Sequence, residues 1–324
     1  MPHVLCLRPI HDDAIALMRA TPGVTVEVLE PVTPETLAAR IAEADAITVR
    51  ITRIDADVLA HAPKLRIVAR HGVGYDAVDV DALTARGIPL TVTPDANAVS
   101  VAEHALMLML TTARQTVAFH TRTMAAQWGF PPDIPTFDLA GRTVLVVGFG
   151  RIGGRVARLC AAFGMTVLVR DPNVPRNTIK GAGFTPADDL DAALASADIV
   201  TLHCPSNTET RGMVNEAFLK AARPGVVLIN TARGTLVDEP ALASALASGH
   251  VAAAGLDVFA VEPVEPGNVL LKAPNVVAMP HSAAATAESM RRMAMSCAES
   301  ILACFDGRLD PHVVVNPEVL RRNA

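Results

Sequence analysis

The run Thr143-Val144-Leu145-Val146-Val147-Gly148-Phe149-Gly150-Arg151-Ile152-Gly153 decides the fold. Five β-prone residues enter a G-x-G-x-x-G turn, and Val156, Ala157, Leu159 and Cys160 beyond it recur at helical spacing. Each glycine has a physical reason. Gly148 permits a tight turn, Gly150 lets a pyrophosphate approach the backbone, and Gly153 lets the helix pack closely on the strand. The phosphate charge then lies at a helix N-terminus, where backbone N–H groups are unpaired. A second strand over 165–169 leads into Arg170-Asp171-Pro172. That places a carboxylate about twenty residues beyond the fingerprint, where it accepts hydrogen bonds from ribose hydroxyls. A 2′-phosphate would meet Asp171 as a like charge, so the reading is NAD, with Arg170 a solvated charge at the strand end.

Working outward, apolar runs rich in Val, Ile and Leu alternate with alanine-rich helical stretches along the whole chain. This is the pattern of parallel strands covered by helices on both faces, so the fold class is α/β. Strands are expected over 4–7, 24–28, 46–49 and 66–69, with helices over 12–20 and 34–42. Together these form a small doubly wound unit. From Ala98 the positions Val101, Ala102, Ala105, Leu106, Met109 and Leu110 mark a long helix, with Asn97 as its expected cap. The proline-rich stretch 129–135 breaks it. A second sheet follows, with strands expected over 143–147, 165–169, 198–203, 226–230, 251–257 and 275–278. A last helix over 287–305 is then free to return to the first unit. The expected division is a discontinuous domain, 1–98 plus 287–324, and a dinucleotide-binding domain, 99–286.

The 324 residues are 51% hydrophobic and 19% charged with a net charge of −5, which offers no basic field for nucleic acid or an anionic membrane. No apolar stretch has the length of a membrane span. The five cysteines, Cys6, Cys160, Cys204, Cys297 and Cys304, show no paired spacing and read as reduced cytoplasmic thiols, with no metal site suggested.

Three segments put isolated polar residues at the ends of apolar strands: Asn230-Thr231-Ala232-Arg233-Gly234, Asp257-Val258-Phe259-Ala260-Val261-Glu262-Pro263 and Pro280-His281-Ser282. Singly, each has a dull explanation as a surface charge or a packed imidazole. Jointly they supply an anion clamp, a proton donor and a group to orient the donor, which is what reduction of a 2-oxo acid needs. Cys204, beside His203, reads as a buried strand-end thiol rather than a nucleophile.

The order Arg, Glu, His, with DVFxxEP and PHxxxxT segments, resembles the D-isomer-specific 2-hydroxyacid dehydrogenase family over nearly the whole chain, including Arg50, the loop His71-Gly72-Val73-Gly74-Tyr75-Asp76 and Asn97 to Glu103. The resemblance implies a Rossmann NAD-binding domain and a flavodoxin-like substrate domain. It implies hydride transfer between nicotinamide and C2 of a small 2-oxo or 2-hydroxy acid. Arg233 would hold the substrate carboxylate, His281 would exchange the proton, and Glu262 would orient His281. It further assigns Asp257 and the backbone at Thr231 and Ala232 to the nicotinamide carboxamide. His203, Pro205 and Thr210 go to the adenosine side, while Gly148, Gly150, Arg151, Ile152 and Gly153 of the fingerprint are the expected cofactor-binding turn. In the first domain, N–H groups of Val73 and Gly74 would bind the substrate carboxylate, glycine permitting the close approach.

Arg50 and Arg70, with Arg53 near, sit where phosphoglycerate dehydrogenases of this family carry basic residues, so D-3-phosphoglycerate is one expected substrate. Hydroxypyruvate or glyoxylate is the competitor. An NAD-sensing corepressor is the alternative of another class, to be separated by turnover. A homodimer built on the helices between 98 and 127 is also implied, and with the chain ending at Ala324 no appended regulatory domain is expected. One departure stands out: Ser282-Ala283-Ala284 replaces a glycine pair found in many relatives.

Overall fold

The computed structural model describes residues 1–129, 131 and 134–321. Phe130, Pro132 and Asp133 of the expected break, and 322–324 of the expected first domain, lie outside the described residues. The chain forms two compact units, Met1–Asn97 with Ala285–Ala324, and Ala98–Ala284.

In the first unit, strands β1 (His3–Leu7), β2 (Thr25–Leu29), β3 (Ala46–Val49), β4 (Ile67–Arg70) and β5 (Leu90–Thr91) form a parallel sheet of order β2-β1-β3-β4-β5, the flavodoxin-like arrangement. All four residues of β3 are buried, as a central strand covered on both faces requires. The fifth strand escapes sequence reading because two residues carry no periodicity. The helix Ala287–Phe305 belongs to this unit, with Met293, Ala294, Cys297 and Ile301 buried at helical spacing. Thr286 caps it, accepting the Ser289 N–H at 3.1 Å, a contact that stabilises a helix start by about 1 kcal/mol. Asn97, by contrast, is not a cap: its Oδ1 is buried with no hydrogen-bond partner among the described residues.

In the second unit, β6 (Thr143–Val147), β7 (Thr166–Arg170), β8 (Thr185–Pro186), β9 (Ile199–Leu202), β10 (Val226–Asn230), β11 (Val251–Leu256) and β12 (Val276–Ala278) form a parallel sheet of order β12-β11-β10-β9-β6-β7-β8. This is the Rossmann order with one added strand, and its switch point lies between β6 and β9. Every residue of β9 and β10 is buried. The Ala98–Ala113 helix lies on this sheet through Ala102, Ala105, Leu108 and Met109.

Candidate active site

Because the seven strands run parallel, their C-terminal ends share one edge, and every candidate residue of the second unit follows such an end. Gly148 follows β6 with φ +97°, and a Cβ there would stand 2.6 Å from the His203 carbonyl carbon. A Cβ at Gly153 would stand 1.9 Å from the Gly148 oxygen. These two glycines serve packing. Gly150 differs: it is exposed, and a Cβ would meet nothing within 4 Å, so its backbone is open to a ligand. The Arg151–Ala162 helix starts there without a side-chain cap, leaving N–H groups for an anion.

Asp171 accepts the Phe149 N–H at 2.8 Å on Oδ2 and the Asn173 N–H at 2.9 Å on Oδ1. The aligned carboxylate keeps further lone pairs for hydroxyl donors. Arg170 donates from Nη1 to the carbonyls of Asp188 at 3.0 Å and Ala187 at 3.4 Å. His203 shares a 2.8 Å hydrogen bond with Thr201 through Nε2, and burial pushes its imidazole down to about 3, so it is neutral. Its Nδ1 and the Thr231 hydroxyl are buried without a hydrogen-bond partner among the described residues. Such atoms cost about 1–3 kcal/mol each until something pairs with them. An open glycine backbone, an uncapped helix start and these orphan polar atoms fit a dinucleotide. Thr210 is more committed: its hydroxyl donates to the Pro205 carbonyl at 2.6 Å and accepts the Asn207 N–H at 2.9 Å, closing its own loop.

The loops after β10, β11 and β12 are each tied down by a buried polar residue. Asn230, fully buried, accepts the Ala232 N–H at 3.0 Å and donates to the Arg233 carbonyl at 2.8 Å, which shapes the turn presenting Arg233. The Arg233 Nη1 donates to the Ala232 carbonyl at 2.7 Å. Asp257, also fully buried, accepts the N–H groups of Ser282 at 2.8 Å and Ala283 at 2.9 Å, while its own carbonyl accepts the His281 N–H at 2.7 Å. His281 is thereby held at φ +53°, a left-handed conformation uncommon for a side-chain-bearing residue. Residues 282–284 are outside that region, so the missing glycine pair costs nothing in backbone strain.

The loops also meet one another. A Cβ on Gly234 would lie 1.9 Å from the Phe259 carbonyl carbon, so the Arg233 loop touches the Glu262 loop backbone to backbone. Glu262 accepts the Phe259 N–H at 3.0 Å on Oε1, and its Oε2 stands 2.6 Å from His281 Nδ1. Burial pushes the Glu262 carboxyl up, but the His281 hydrogen bond, the Phe259 N–H and the charges of His281 and Arg233 outweigh it and hold it below the usual range. The second unit thus brings Arg233, Glu262 and His281 into one electrostatic group.

Sequence reasoning missed Asn230 and His104. His104 stands on the buried stripe of the Ala98–Ala113 helix, with Nε2 3.4 Å from Asp257 Oδ1. A polar residue at position i+3 from Val101 and i−4 from Leu108 was the available signal. Cys204 packs with Sγ 3.9 Å from Met213 Sδ, and burial pushes its thiol up to about 11, the opposite of an activated nucleophile.

In the first unit, Val73 and Gly74 donate their N–H groups to no described residue. Arg70 has a structural role as well: Nε donates to the Gly74 carbonyl at 2.6 Å and Nη1 to the His71 carbonyl, so the guanidinium braces the 71–74 loop. Arg53 pairs with Asp55 at 3.1 Å on the surface. Arg50 has a partner the sequence did not suggest. Cys6 is registered with Thr48, so Arg8 and Arg50 follow the ends of adjacent strands. Burial, then the charge of Arg8, lowers the Arg50 pKa.

Residues 106–283 match the family described as D-isomer specific 2-hydroxyacid dehydrogenase, NAD binding domain. D-3-phosphoglycerate dehydrogenase of Mycobacterium bovis is 46% identical over 292 residues, covering 87% of this chain and 54% of that protein. The chain therefore spans about half the length of that relative. Glyoxylate reductase of Aeropyrum pernix is 38% identical over 330 residues, covering 99% of this chain and 97% of that protein. A crystal structure of D-lactate dehydrogenase from Aquifex aeolicus, complexed with NAD and lactic acid, superposes with a TM-score of 0.86 at 28% identity, covering 97% of this chain and 99% of that one. With the fingerprint, the sheet order and the Arg-Glu-His strand ends in place, this chain belongs to the D-isomer specific 2-hydroxyacid dehydrogenase family.

Proposed function

We propose that the chain is an NAD-dependent dehydrogenase interconverting small 2-hydroxy and 2-oxo acids. D-3-phosphoglycerate is the first candidate substrate, and glyoxylate or hydroxypyruvate the second. The observation that carries the reading is the 2.6 Å contact between His281 Nδ1 and Glu262 Oε2, with the charge of Arg233 acting on the same carboxylate. The nicotinamide, when bound, supplies or accepts the hydride at the substrate C2.

With Nδ1 held by Glu262, Nε2 of His281 is the atom left to give a proton to the substrate oxygen in reduction and take it back in oxidation. Glu262 fixes the ring through the contact to Nδ1. Arg233 would hold the substrate carboxylate through its paired donors and polarise the adjacent carbonyl. Gly150, Arg151 and Ile152 would receive the pyrophosphate on the turn that Gly148 and Gly153 pack, Asp171 the ribose hydroxyls, Thr231, Ala232 and Asp257 the carboxamide, and His203, Pro205 and Thr210 the adenosine side. Val73, Gly74 and Arg50 are proposed as substrate contacts of the first unit. Arg70, which also braces the loop, is proposed beside Arg50 at a distal anion site, with Arg8 near.

A homodimer is proposed on the helical segment 98–127. The Thr116–Met124 helix buries none of its residues, and Val117, Met124 and Trp128 are 55%, 74% and 91% exposed. Apolar side chains so placed on and just beyond a second helix favour a partner surface. Five free thiols fit a reducing compartment, the cytoplasm.

The test is a panel of phosphorylated and unphosphorylated 2-oxo acids with NADH and NADPH, run on the parent and on His281→Ala. The reading expects NADH-dependent turnover that falls about 10²–10⁴-fold in the variant with NADH affinity kept. Tight NADH binding without turnover of any acid would overturn it in favour of a sensor.

A further inference from the structure

We infer that His104 is a positioning residue for His281, acting through Asp257. The inference rests on the proposed role of His281.

A match of two periodicities puts His104 there. A Cβ on Gly255 of β11 would stand 2.9 Å from Leu108 Cβ, so the Ala98–Ala113 helix approaches this strand as closely as glycine allows. From that contact, His104 lies four residues back along the helix, a rise of about 6 Å. Asp257 lies two residues onward along the strand, about 6.6 Å. The two steps agree within an ångström, and the imidazole arrives beside the carboxylate, Nε2 3.4 Å from Oδ1.

Asp257 needs such a neighbour. It is fully buried, and a buried carboxylate is unfavourable unless it is hydrogen-bonded or paired. Two backbone N–H groups, from Ser282 and Ala283, reach it, and these are the bonds that wrap residues 281–283 around it and keep His281 at φ +53°. Burial pushes the Asp257 carboxyl up, while His104 and the two N–H groups outweigh it and hold the group ionised. Among described groups His104 is the ionisable side chain in contact with this carboxylate. Its Nε2 is buried and outside hydrogen-bond geometry in this structure, so the imidazole has no competing partner among the described residues. Without it, the carboxylate gains by taking up a proton, which weakens its hold on the Ser282 and Ala283 N–H groups. The left-handed turn carrying the proton-transfer imidazole then loosens.

The experiment compares His104→Leu with His104→Gln, whose amide Nε2 restores a donor at the same reach. Three quantities are read on the whole protein: kcat for 2-oxo acid reduction, the NADH dissociation constant, and hydrogen exchange of the Ser282 and Ala283 amides without cofactor. His104→Leu should lower kcat about ten- to a hundredfold, weaken NADH by a smaller factor than kcat, and speed exchange at both amides about tenfold or more. His104→Gln should return all three to within about threefold of the parent. Parental kcat and exchange in His104→Leu, or a Gln variant no better than Leu, would overturn the inference. So would a loss of NADH affinity as large as the loss of rate. If His281→Ala also turned over normally, the site reading would have failed instead, and the exchange rates would still decide whether His104 holds the turn.

Discussion

Gly234 offers a sharp test of how the three loops are held together. In Gly234→Ala the added Cβ would fall 1.9 Å from the Phe259 carbonyl carbon, 2.2 Å from its oxygen and 2.3 Å from the Ala260 nitrogen. Unstrained carbon contacts lie near 3.5 Å, so one backbone must retreat by about 1.5 Å. Neither can do so freely. Asn230 fastens the Arg233 loop, while the Phe259 N–H and the Glu262 side chain fasten the other. The displaced segment carries Glu262, whose Oε2 must stay 2.6 Å from His281. A 1 Å misplacement of a catalytic group costs about a hundredfold in rate, so kcat should fall about a hundredfold or more, along with about 1–3 kcal/mol of stability from overpacking. NADH oxidation followed by absorbance gives kcat, and thermal unfolding reports whether the fold survives. A folded Gly234→Ala protein with kcat within threefold of the parent would refute the claim that this backbone contact sets the site.

Other expectations concern cofactor choice, acid stability and thiol chemistry. Asp171→Ala should weaken NADH far more than NADPH, because it removes both the ribose acceptor and the charge that repels a 2′-phosphate; fluorescence titration showing equal weakening would contradict this. Burial, then the charges of Arg50 and Arg70, lowers the His71 pKa to about 4. The unfolded chain then binds more protons between pH 6.5 and 4. His71 therefore contributes about 3 kcal/mol that is present above pH 6.5 and lost as pH falls towards 4. Urea unfolding of His71→Gln should show a flatter slope over that window, and an unchanged slope would remove His71 as the cause. Burial pushes the thiols of Cys160 and Cys297 up to about 12, so alkylation of the native protein at pH 8 should leave both unmodified by mass spectrometry and activity intact.

Much of this was legible in the sequence, for a physical reason. Parallel strands buried on both faces must be written as continuous runs of Val, Ile and Leu, so strands such as Ala46–Val49 and Val226–Asn230 appear where those runs stand. Gly148, Gly150 and Gly153 were readable because each turn demand is local. What the sequence hides is pairing between distant segments. Gly234 looks like any loop glycine until Phe259 is set against it. Asn230 looks like a strand-end polar residue until the Arg233 carbonyl is found on its amide. Arg70 shows the same limit: its charge suggests an anion, and only the structure shows its Nε and Nη1 turned onto the loop's own carbonyls. His104 sits in an apolar stripe whose partner, Asp257, lies far along the chain. The expected cap at Asn97 failed because residue type alone does not fix where a side chain points.

The most direct measurement is a double-mutant cycle on the acid–base pair, with kcat for 2-oxo acid reduction determined for Glu262→Gln, His281→Ala and the combination. If Glu262 works by holding His281, as the 2.6 Å contact implies, the double variant should be no slower than His281→Ala alone, because the carboxylate has nothing left to orient. Losses that multiply would show two independent groups and contradict the account.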